Sequence, residues 1–443
     1  MNAPAYLPER DAAGLTRDVT DPLLAQGFGR GWWAGFAISA LLTVVMLAAM
    51  LWLFREGVGI WGIDTSNVWG FALANYVWWI GIGNAGTLIS SMLLLTRQRW
   101  RASISRFAEA MTLFAAAIAG LFPILHLGRP WLFYWLIPYP DSMDLLPQWQ
   151  SPLIWDFFAI ASYLLFSMMF WYTGAIPDFA TLRDRAKTRL AQLFYGMLAL
   201  GWQGSARQWQ AWHQYYLAMA CLGVPLVVSV HSVVGMDFAA GLVPGWNETI
   251  FPPYFVIGAM YSGFGMVVVL AAVIRHALGL RHLITDAHFD VMARILLFSA
   301  TVMLVSYATE WFFAWLSHDA AEREILRFQF GGAAAPLYWS MLACNCLAAQ
   351  VFWLPAARRS VALIVAVALL VNVGMWLERI LIVVVTPSRS FLPSQWQTYW
   401  PTLWDWLLLV GSLGFFALLF FVFLRFVPAV SIHETKARIR EAV

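Results

Sequence analysis

Charge is scarce in this sequence. Of its 443 residues only 12% are Asp, Glu, Lys or Arg, about half the share a soluble domain carries, which excludes a chain bathed in water on all sides. Cysteine is nearly absent. Cys221, Cys344 and Cys346 all stand in apolar stretches, and no C-x-x-C or C-x-x-C-H occurs, so neither an iron-sulfur cluster nor a c-type haem is held by the chain's own thiolates. The three read as small core residues. Missing too, from the first 30 residues, are the basic start, short apolar run and small-residue cleavage site of a secretory signal, so the first apolar segment is expected to stay as an anchor. What is plentiful is apolar: 61% of residues are hydrophobic, with 26 Trp and 32 Phe, and the mean hydropathy is +0.69. Aromatic rings collect where membrane meets water. The composition is that of an integral membrane protein.

Apolar runs of about 20 residues predict ten transmembrane helices, near 31–54, 67–96, 107–128, 152–174, 211–236, 252–275, 289–316, 335–356, 359–385 and 403–426. The loops alternate between basic and nearly neutral. Arg97, Arg99, Arg101, Arg183, Arg185, Lys187, Arg358, Arg359 and Lys436 are among those that fall on one side, and the other holds only Arg55, Arg129, Arg323, Arg327 and Arg389. The positive-inside rule then puts both termini in the cytoplasm. "IGIGNAG" at 80–86 and "IGAMYSG" at 257–263 share an Ile-Gly start and a final Gly. They suggest parallel four-helix repeats, helices two to five and six to nine, or simply small residues that let helices approach closely. The expected organisation is a cytoplasmic segment at 1–30, a first helix and outer loop at 31–66, one four-helix bundle at 67–237, a second at 238–386, an outer loop and tenth helix at 387–428, and a cytoplasmic tail at 429–443. Asn84 puts an amide near mid-membrane, where it needs a partner.

The few ionisable groups inside the helices gather toward the outer face. His126 lies at the outer end of the third helix, in "LFPILHLGRPWLFYWLIPYP", and Asp156 about one turn into the fourth from the same face. The fifth helix ends outside with His231 and Asp237. Glu310, Glu378, Arg379 and Asp405 fall at similar depth. Charges in hydrocarbon are costly and mark function by default, yet each has an ordinary reading. His126 can cap helix carbonyls and Arg129 can snorkel to headgroups. Asp405 reads as a solvated helix start, and Glu109 as an exposed residue at the cytoplasmic end. Glu378 and Arg379, pointing about 100° apart, are expected to find partners on other helices. Together, His126, Asp156, His231 and Asp237 predict a site. An imidazole and a carboxylate in an aromatic, lipid-accessible pocket suit a quinol, whose two hydroxyls must be held and deprotonated while its flat ring stacks on side chains such as Trp131, Phe133, Tyr134 or Trp135.

"LFPILHLGRPW", the aspartate 30 residues after its His, "HSVVGMDFA" followed by "PGWNETIFPPYFVIGAMYSG", and "NVGMWLERILIVV" followed by "FLPSQW" resemble the NrfD/PsrC-like integral membrane subunits. Within that family they look most similar to the ActC subunit of bacterial alternative complex III, over about residues 30 to 428. The resemblance implies an all-α membrane protein of two four-helix bundles plus two extra helices, in the bacterial inner membrane. It implies a periplasmic-side quinol site with His126 and Asp156 in contact with quinol, Asp237 close by or in the proton exit, and a proton route through residues such as Glu310 and Glu378. Menaquinol or ubiquinol is the expected substrate. The expected partners are a periplasmic iron-sulfur subunit that takes the electrons, c-type cytochrome subunits and a second NrfD-like membrane subunit. Arg129 and Trp131 complete the expected quinol contacts, with His231, Asn84 and Tyr134 in support; Arg379 and Asp405 join the proton-path candidates.

The resulting expectation is quinol oxidation as part of a respiratory or photosynthetic electron-transfer complex, with proton translocation as an open addition. The main rival is the membrane anchor and quinone-site subunit of a molybdoenzyme such as polysulfide reductase. A b-type haem protein, using His126 and His231, and a secondary transporter are the other classes that fit buried charge. No nucleic-acid partner is implied.

Overall fold

The computed structural model describes residues 11–24, 29–136, 152–317 and 319–442. Among them the chain is all α: α1 (Ala12–Leu24), α2 (Arg30–Glu56), α3 (Gly70–Leu95), α4 (Ser105–His126), α5 (Pro152–Arg185), α6 (Arg189–Leu198), α7 (Ala206–Ala239), α8 (Phe251–Ala277), α9 (Asp286–Leu316), α10 (Ala320–Gly331), α11 (Ala335–Leu342), α12 (Val361–Ile380), α13 (Leu403–Phe426) and α14 (Ile432–Ala442). Nine helices among the described residues are long and apolar enough to cross a bilayer. The run at 335–356, expected as one more span, is a composite. It starts as α11, passes through a π-helical turn at Ala343–Leu347 and ends as a 3₁₀ segment at Ala348–Trp353. A second π turn, Leu381–Val385, extends α12.

Helices α3, α4, α5 and α7 touch in a closed ring, and α8, α9, the composite segment and α12 close a second. α2 pairs with α13 beside them. Side chains such as Trp33, Ile38, Leu41, Val44 and Leu51 on α2 face outward and exposed, as lipid-facing surface requires. α3 is buried nearly all round, because it packs on α4, α7, α8, α12 and α13 at once. Its indoles and amides fasten it in place: Trp78 Nε1 donates to the Asn372 carbonyl (3.2 Å), Trp79 Nε1 to Ser412 Oγ (2.9 Å), and Trp376 Nε1 to Asn75 Oδ1 (2.9 Å).

The glycine motifs allow this crowding. A Cβ on Gly86 would lie 1.9 Å from the Ala108 carbonyl oxygen of α4, and one on Gly263 would lie 1.9 Å from Ala85 Cβ where α8 crosses α3. Gly86→Ala and Gly263→Ala are therefore expected to destabilise the protein by about 1–3 kcal/mol or more, since packed backbones must separate. Thermal unfolding in detergent checks this, with Gly31→Ala, whose Cβ would meet nothing within 4 Å, expected to match the parent.

Short helices lie at the arginine-rich end. α1 buries Leu15, Val19 and Leu23 and touches α5, α13 and α14, so the polar N-terminal segment is partly a packed element. Glu109, expected to be exposed, is buried instead. Ser90 Oγ donates to it, Tyr216 donates at 3.1 Å, and Arg101 and Arg106 stand at 3.6 and 3.7 Å. Ser90 of α3 and Tyr216 of α7 close over it, while α14 folds back over this end and brings Glu434 against Arg101. Burial works against the Glu434 carboxylate, yet Arg101 and His433 beside it hold the carboxyl below its usual range. Of the cysteines, Cys346 is buried, Cys344 half-buried and Cys221 exposed; Cys221 is thus not the core residue expected.

Candidate functional site

α4 stops where it does because Gly128 adopts φ +61 and returns its N–H to the Leu125 carbonyl (2.9 Å), a left-handed cap that glycine takes without strain. This leaves His126 as the last residue of the helix, opposite the first turns of α5, which opens on Pro152. Pro is at ease there, since an N-terminal N–H has no partner to lose. Asp156 follows one turn in. Asp237 is in the last turn of α7, so three helix ends converge.

Between them lies a cavity of about 290 Å³, lined by His126, Asp156 and Asp237 together with Trp69, Tyr76 and Trp246 and apolar side chains including Leu73, Pro123, Val234 and Phe238. The His126 ring hydrogen-bonds the backbone of Phe122 one turn back, while its Nε2 is buried without a partner. It therefore does tie down a helix carbonyl, as the ordinary reading has it, and still presents a nitrogen lone pair. Trp61 and Trp69 stand edge-on to the ring at 5.4 and 5.8 Å. The Asp156 and Asp237 carboxyls lie within hydrogen-bonding reach of each other, with the Tyr76 hydroxyl beside Asp156. Asp156 Oδ1, Asp237 Oδ1 and Tyr76 Oη are buried atoms with no hydrogen-bond partner of good geometry. Such a concentration of orphaned polar atoms in one apolar cavity is what a site awaiting a polar ligand looks like.

The other expected residues distribute around this cavity. Asn84 Nδ2 meets His231 Nδ1, which gives the mid-membrane amide its partner, about 9 to 12 Å deeper along α7 and α3 than Asp237 and Tyr76. Arg129, Trp131 and Tyr134 are exposed and do not line the cavity. Phe133 is exposed as well. Asp405 is fully buried rather than solvated: its Oδ2 accepts from the Thr402 N–H and the Tyr399 hydroxyl, both at 2.8 Å. Tyr399 also bonds the Trp61 carbonyl (2.9 Å), so Asp405 braces the tryptophan that walls His126.

Glu378 and Arg379, expected to seek other partners, pair with each other at 3.3 Å. Their Cα–Cβ directions diverge, but both side chains are long enough to curl together. Tyr307 donates to Glu378 Oε2, as does Asn345 Nδ2 (3.1 Å) from the π turn, and Arg379 lies 4.1 Å over the Phe255 ring. Glu310 stands one turn beyond Tyr307, half-buried, with no share in those bonds and no ion pair to Arg379.

Sequence reasoning passed over three groups. Tyr76 and Trp61 are two aromatics among many, with no local signal. Glu248, in the loop that carries Trp246, does stand in the quoted "PGWNETIFPPYF". Burial, and then the neighbouring Glu322 charge, push its carboxyl up to about 7, where it exchanges a proton near neutral pH.

A second, wider cleft of about 700 Å³ opens at the opposite end, between Trp202, Trp212, Tyr216 and α14. It shares no residue with the first cavity, and its Arg101 and Tyr216 reach Glu109. Inward from Glu109 and Ser90 runs a set of hydroxyls: Thr87 Oγ1 donates to Ser167 Oγ (3.1 Å), and Thr112 and Tyr163 both donate to the Gly83 carbonyl (2.7 Å). Asn84 follows at once.

Comparison with known proteins identifies the family. The family described as polysulphide reductase, NrfD, matches residues 61–388. Among curated proteins, a putative dimethyl sulfoxide reductase membrane subunit of Halobacterium salinarum is 26% identical over 55% of this chain and 51% of its own length. A selenate reductase subunit of Mesobacillus selenatarsenatis is 22% identical over 53% of this chain and 55% of its own. The chain spans about half the length of the curated relatives it matches. With nine apolar helices of spanning length among the described residues and a family match across most of its length, the chain is a multi-pass membrane protein of the NrfD family.

Proposed function

We propose that this chain is the quinol-binding membrane subunit of an oxidoreductase complex, and that quinol is oxidised in the cavity between His126, Asp156 and Asp237. The observation that carries this reading is the set of unpartnered buried polar atoms, His126 Nε2, Asp156 Oδ1, Asp237 Oδ1 and Tyr76 Oη, facing an apolar cavity of about 290 Å³. Quinol gives up two protons and two electrons. His126 Nε2 accepts a hydroxyl proton, and the Asp156–Asp237 pair orients and accepts the other. The electrons leave to an iron-sulfur centre in a partner protein on the same face. Protons exit past Asp237 toward Glu248, at the end of the molecule with few basic residues, which by the positive-inside rule is the periplasmic end. That rule also supports cytoplasmic termini, and the family resemblance supports placement in the bacterial inner membrane.

Motif resemblance suggests alternative complex III, but the relatives carry the names of dimethyl sulfoxide and selenate reductase subunits, and these favour the anchor of a molybdenum-containing reductase. We adopt that assignment of partner, leaving c-type cytochromes and a second NrfD-like subunit to the other reading. Proton translocation would use the hydroxyl file from Glu109 and Ser90 to Asn84 and His231 in the first ring, with Glu310 and the Glu378–Arg379 pair as stations in the second. Asp405, held by Thr402 and Tyr399, fits a bracing role better than proton traffic.

The test is to isolate the intact complex and add quinol. A molybdopterin subunit and an iron-sulfur subunit are expected to co-purify, with the iron-sulfur signals reduced by quinol. A multihaem cytochrome c in place of the molybdopterin subunit would return the assignment to complex III. Iron-sulfur centres left oxidised in the presence of quinol would overturn the quinol reading altogether.

A further inference from the structure

We propose that Tyr76 is the hydrogen-bond donor through which the cavity holds the oxidised ring, and so the residue that sets its preference between quinone and quinol. This rests on the quinol reading above. The cavity offers mostly acceptors. Because the other side of the His126 ring is engaged with the Phe122 backbone, Nε2 presents a lone pair. Asp156 and Asp237, within hydrogen-bonding reach of each other, hold a proton between them, which leaves the Oδ1 atom of each as an acceptor. Of the two indole donors in the lining, Trp246 Nε1 is spent on the Ile382 carbonyl at 2.7 Å, and Trp69 Nε1 is not among the buried unpartnered atoms. Among the buried, unpartnered polar atoms of the lining, three are thus acceptors, and the hydroxyl of Tyr76 is the donor.

The two redox forms of the ligand ask for opposite things. A quinol carries two hydroxyls and needs acceptors; a quinone carries two carbonyls and needs donors. The cavity as it stands suits the reduced form. On oxidation, both O–H bonds of the quinol break, one proton passing to His126 Nε2 and one to the carboxyl pair, while two electrons go to the partner's iron-sulfur centre. While Asp156 is ionised it competes for the Tyr76 hydroxyl that lies beside it. Once protonated it no longer does, and Tyr76 is free to donate to a carbonyl of the newly formed quinone. Product is then retained by Tyr76 until the carboxyl loses its proton outward.

The position of Tyr76 makes this role specific. It sits on α3, the most enclosed helix, and is itself 2% exposed, with its hydroxyl turned to the cavity. A buried hydroxyl is costly to leave unpaired, and nothing in the packing of α3 needs it: Leu73 and Val77 beside it carry the apolar contacts of the same wall.

Steady-state kinetics of the intact complex in membranes test the proposal, with a short-chain quinol as substrate and the matching quinone as product inhibitor. In Tyr76→Phe the inhibition constant of the quinone is expected to rise about five- to tenfold, a clearly larger factor than any rise in KM for the quinol. Tyr76→His, which keeps a ring donor, is expected to restore part of the quinone affinity. Equal shifts in both constants, or no shift in either, would overturn the assignment to Tyr76 and leave the quinol site standing. Should neither variant assemble, the unsubstituted complex gives the answer by infrared difference spectroscopy of carbonyl-labelled quinone. One carbonyl stretch lowered relative to the other is the expected result; two unshifted carbonyls would overturn the proposal. An unsubstituted complex that neither turns over quinol nor is inhibited by quinone would overturn the quinol reading itself, and this proposal with it.

Discussion

Replacing His126 by Ala, or Asp156 by Asn, is expected to lower quinol-dependent electron delivery at least tenfold in a complex that still assembles. Tenfold corresponds to about 1.4 kcal/mol of transition-state stabilisation, a modest demand for a group that takes a proton in the reaction. The two variants fail differently. His126→Ala removes the Nε2 lone pair and leaves the edge-on Trp61 and Trp69 without the ring they enclose, so quinol loses both an acceptor and a contact. Asp156→Asn keeps the shape and puts an amide where the carboxyl was, so positioning survives while proton acceptance is lost. Turnover and KM measured on isolated complex should therefore show a fall in kcat in the Asn variant and a fall in kcat with a rise in KM in the Ala variant. Near-normal turnover in both would remove the cavity from the reaction.

The largest structural effect is expected at the opposite end. Arg106 donates to Asp178 (2.9 Å), to the Gly174 carbonyl (2.7 Å) and to the Trp171 carbonyl (3.2 Å), and it is 1% exposed. Asp178 in turn accepts the N–H groups of Ile432 and His433, each at 3.2 Å, at the start of α14. One guanidinium thus joins α4 to α5 and, through one carboxylate, to the C-terminal helix. Arg106→Ala leaves Asp178 and Glu109 buried with less compensating charge, a loss of about 3–5 kcal/mol, which is a large part of a typical protein's total stability. Little or no monodisperse protein should be recovered in detergent. Arg106→Lys keeps the charge but cannot reach three acceptors with a point ammonium; it is expected to give folded protein with a lowered unfolding temperature and a C-terminal helix more readily cut by trypsin. A stable, fully resistant Arg106→Ala protein would show that the cluster contributes little.

The residues that differ from expectation share a cause. Glu109 sits a few residues into α4, where an acidic side chain ordinarily meets water; Tyr216, which donates to it, is brought in by α7, and Arg101 beside it is held by Glu434 of a helix more than 300 positions on. Asp405 begins a helix and reads as solvated for the same reason, but Tyr399 and the Trp61 region close over it. The directions of the Glu378 and Arg379 Cα–Cβ bonds are local properties, and they omit the reach of two long side chains drawn together in an apolar setting. Tyr76 gives no signal, because an unpartnered hydroxyl is a property of surroundings. The composite segment at 335–353 reads like any apolar run; its π turn is visible only where Asn345 reaches Glu378 against α12.

What the sequence determined by itself is what the bilayer dictates one residue at a time. Hydrocarbon requires long apolar helices, so the all-α membrane architecture followed from the apolar runs. His126 and Asp156 could be paired from sequence because consecutive helices joined by one loop must bring the ends that meet it to the same face. Tertiary structure alone decided which polar atoms are partnered and which are left facing a cavity. That depends on helices distant in sequence meeting at a particular rotation and depth: Asn84 finds His231 across α3 and α7, Arg106 finds Asp178, and Tyr76, His126, Asp156 and Asp237 are left with atoms unsatisfied around one enclosed space. A sequence records where polar groups lie along each helix; only packing fixes the angle at which each helix presents them.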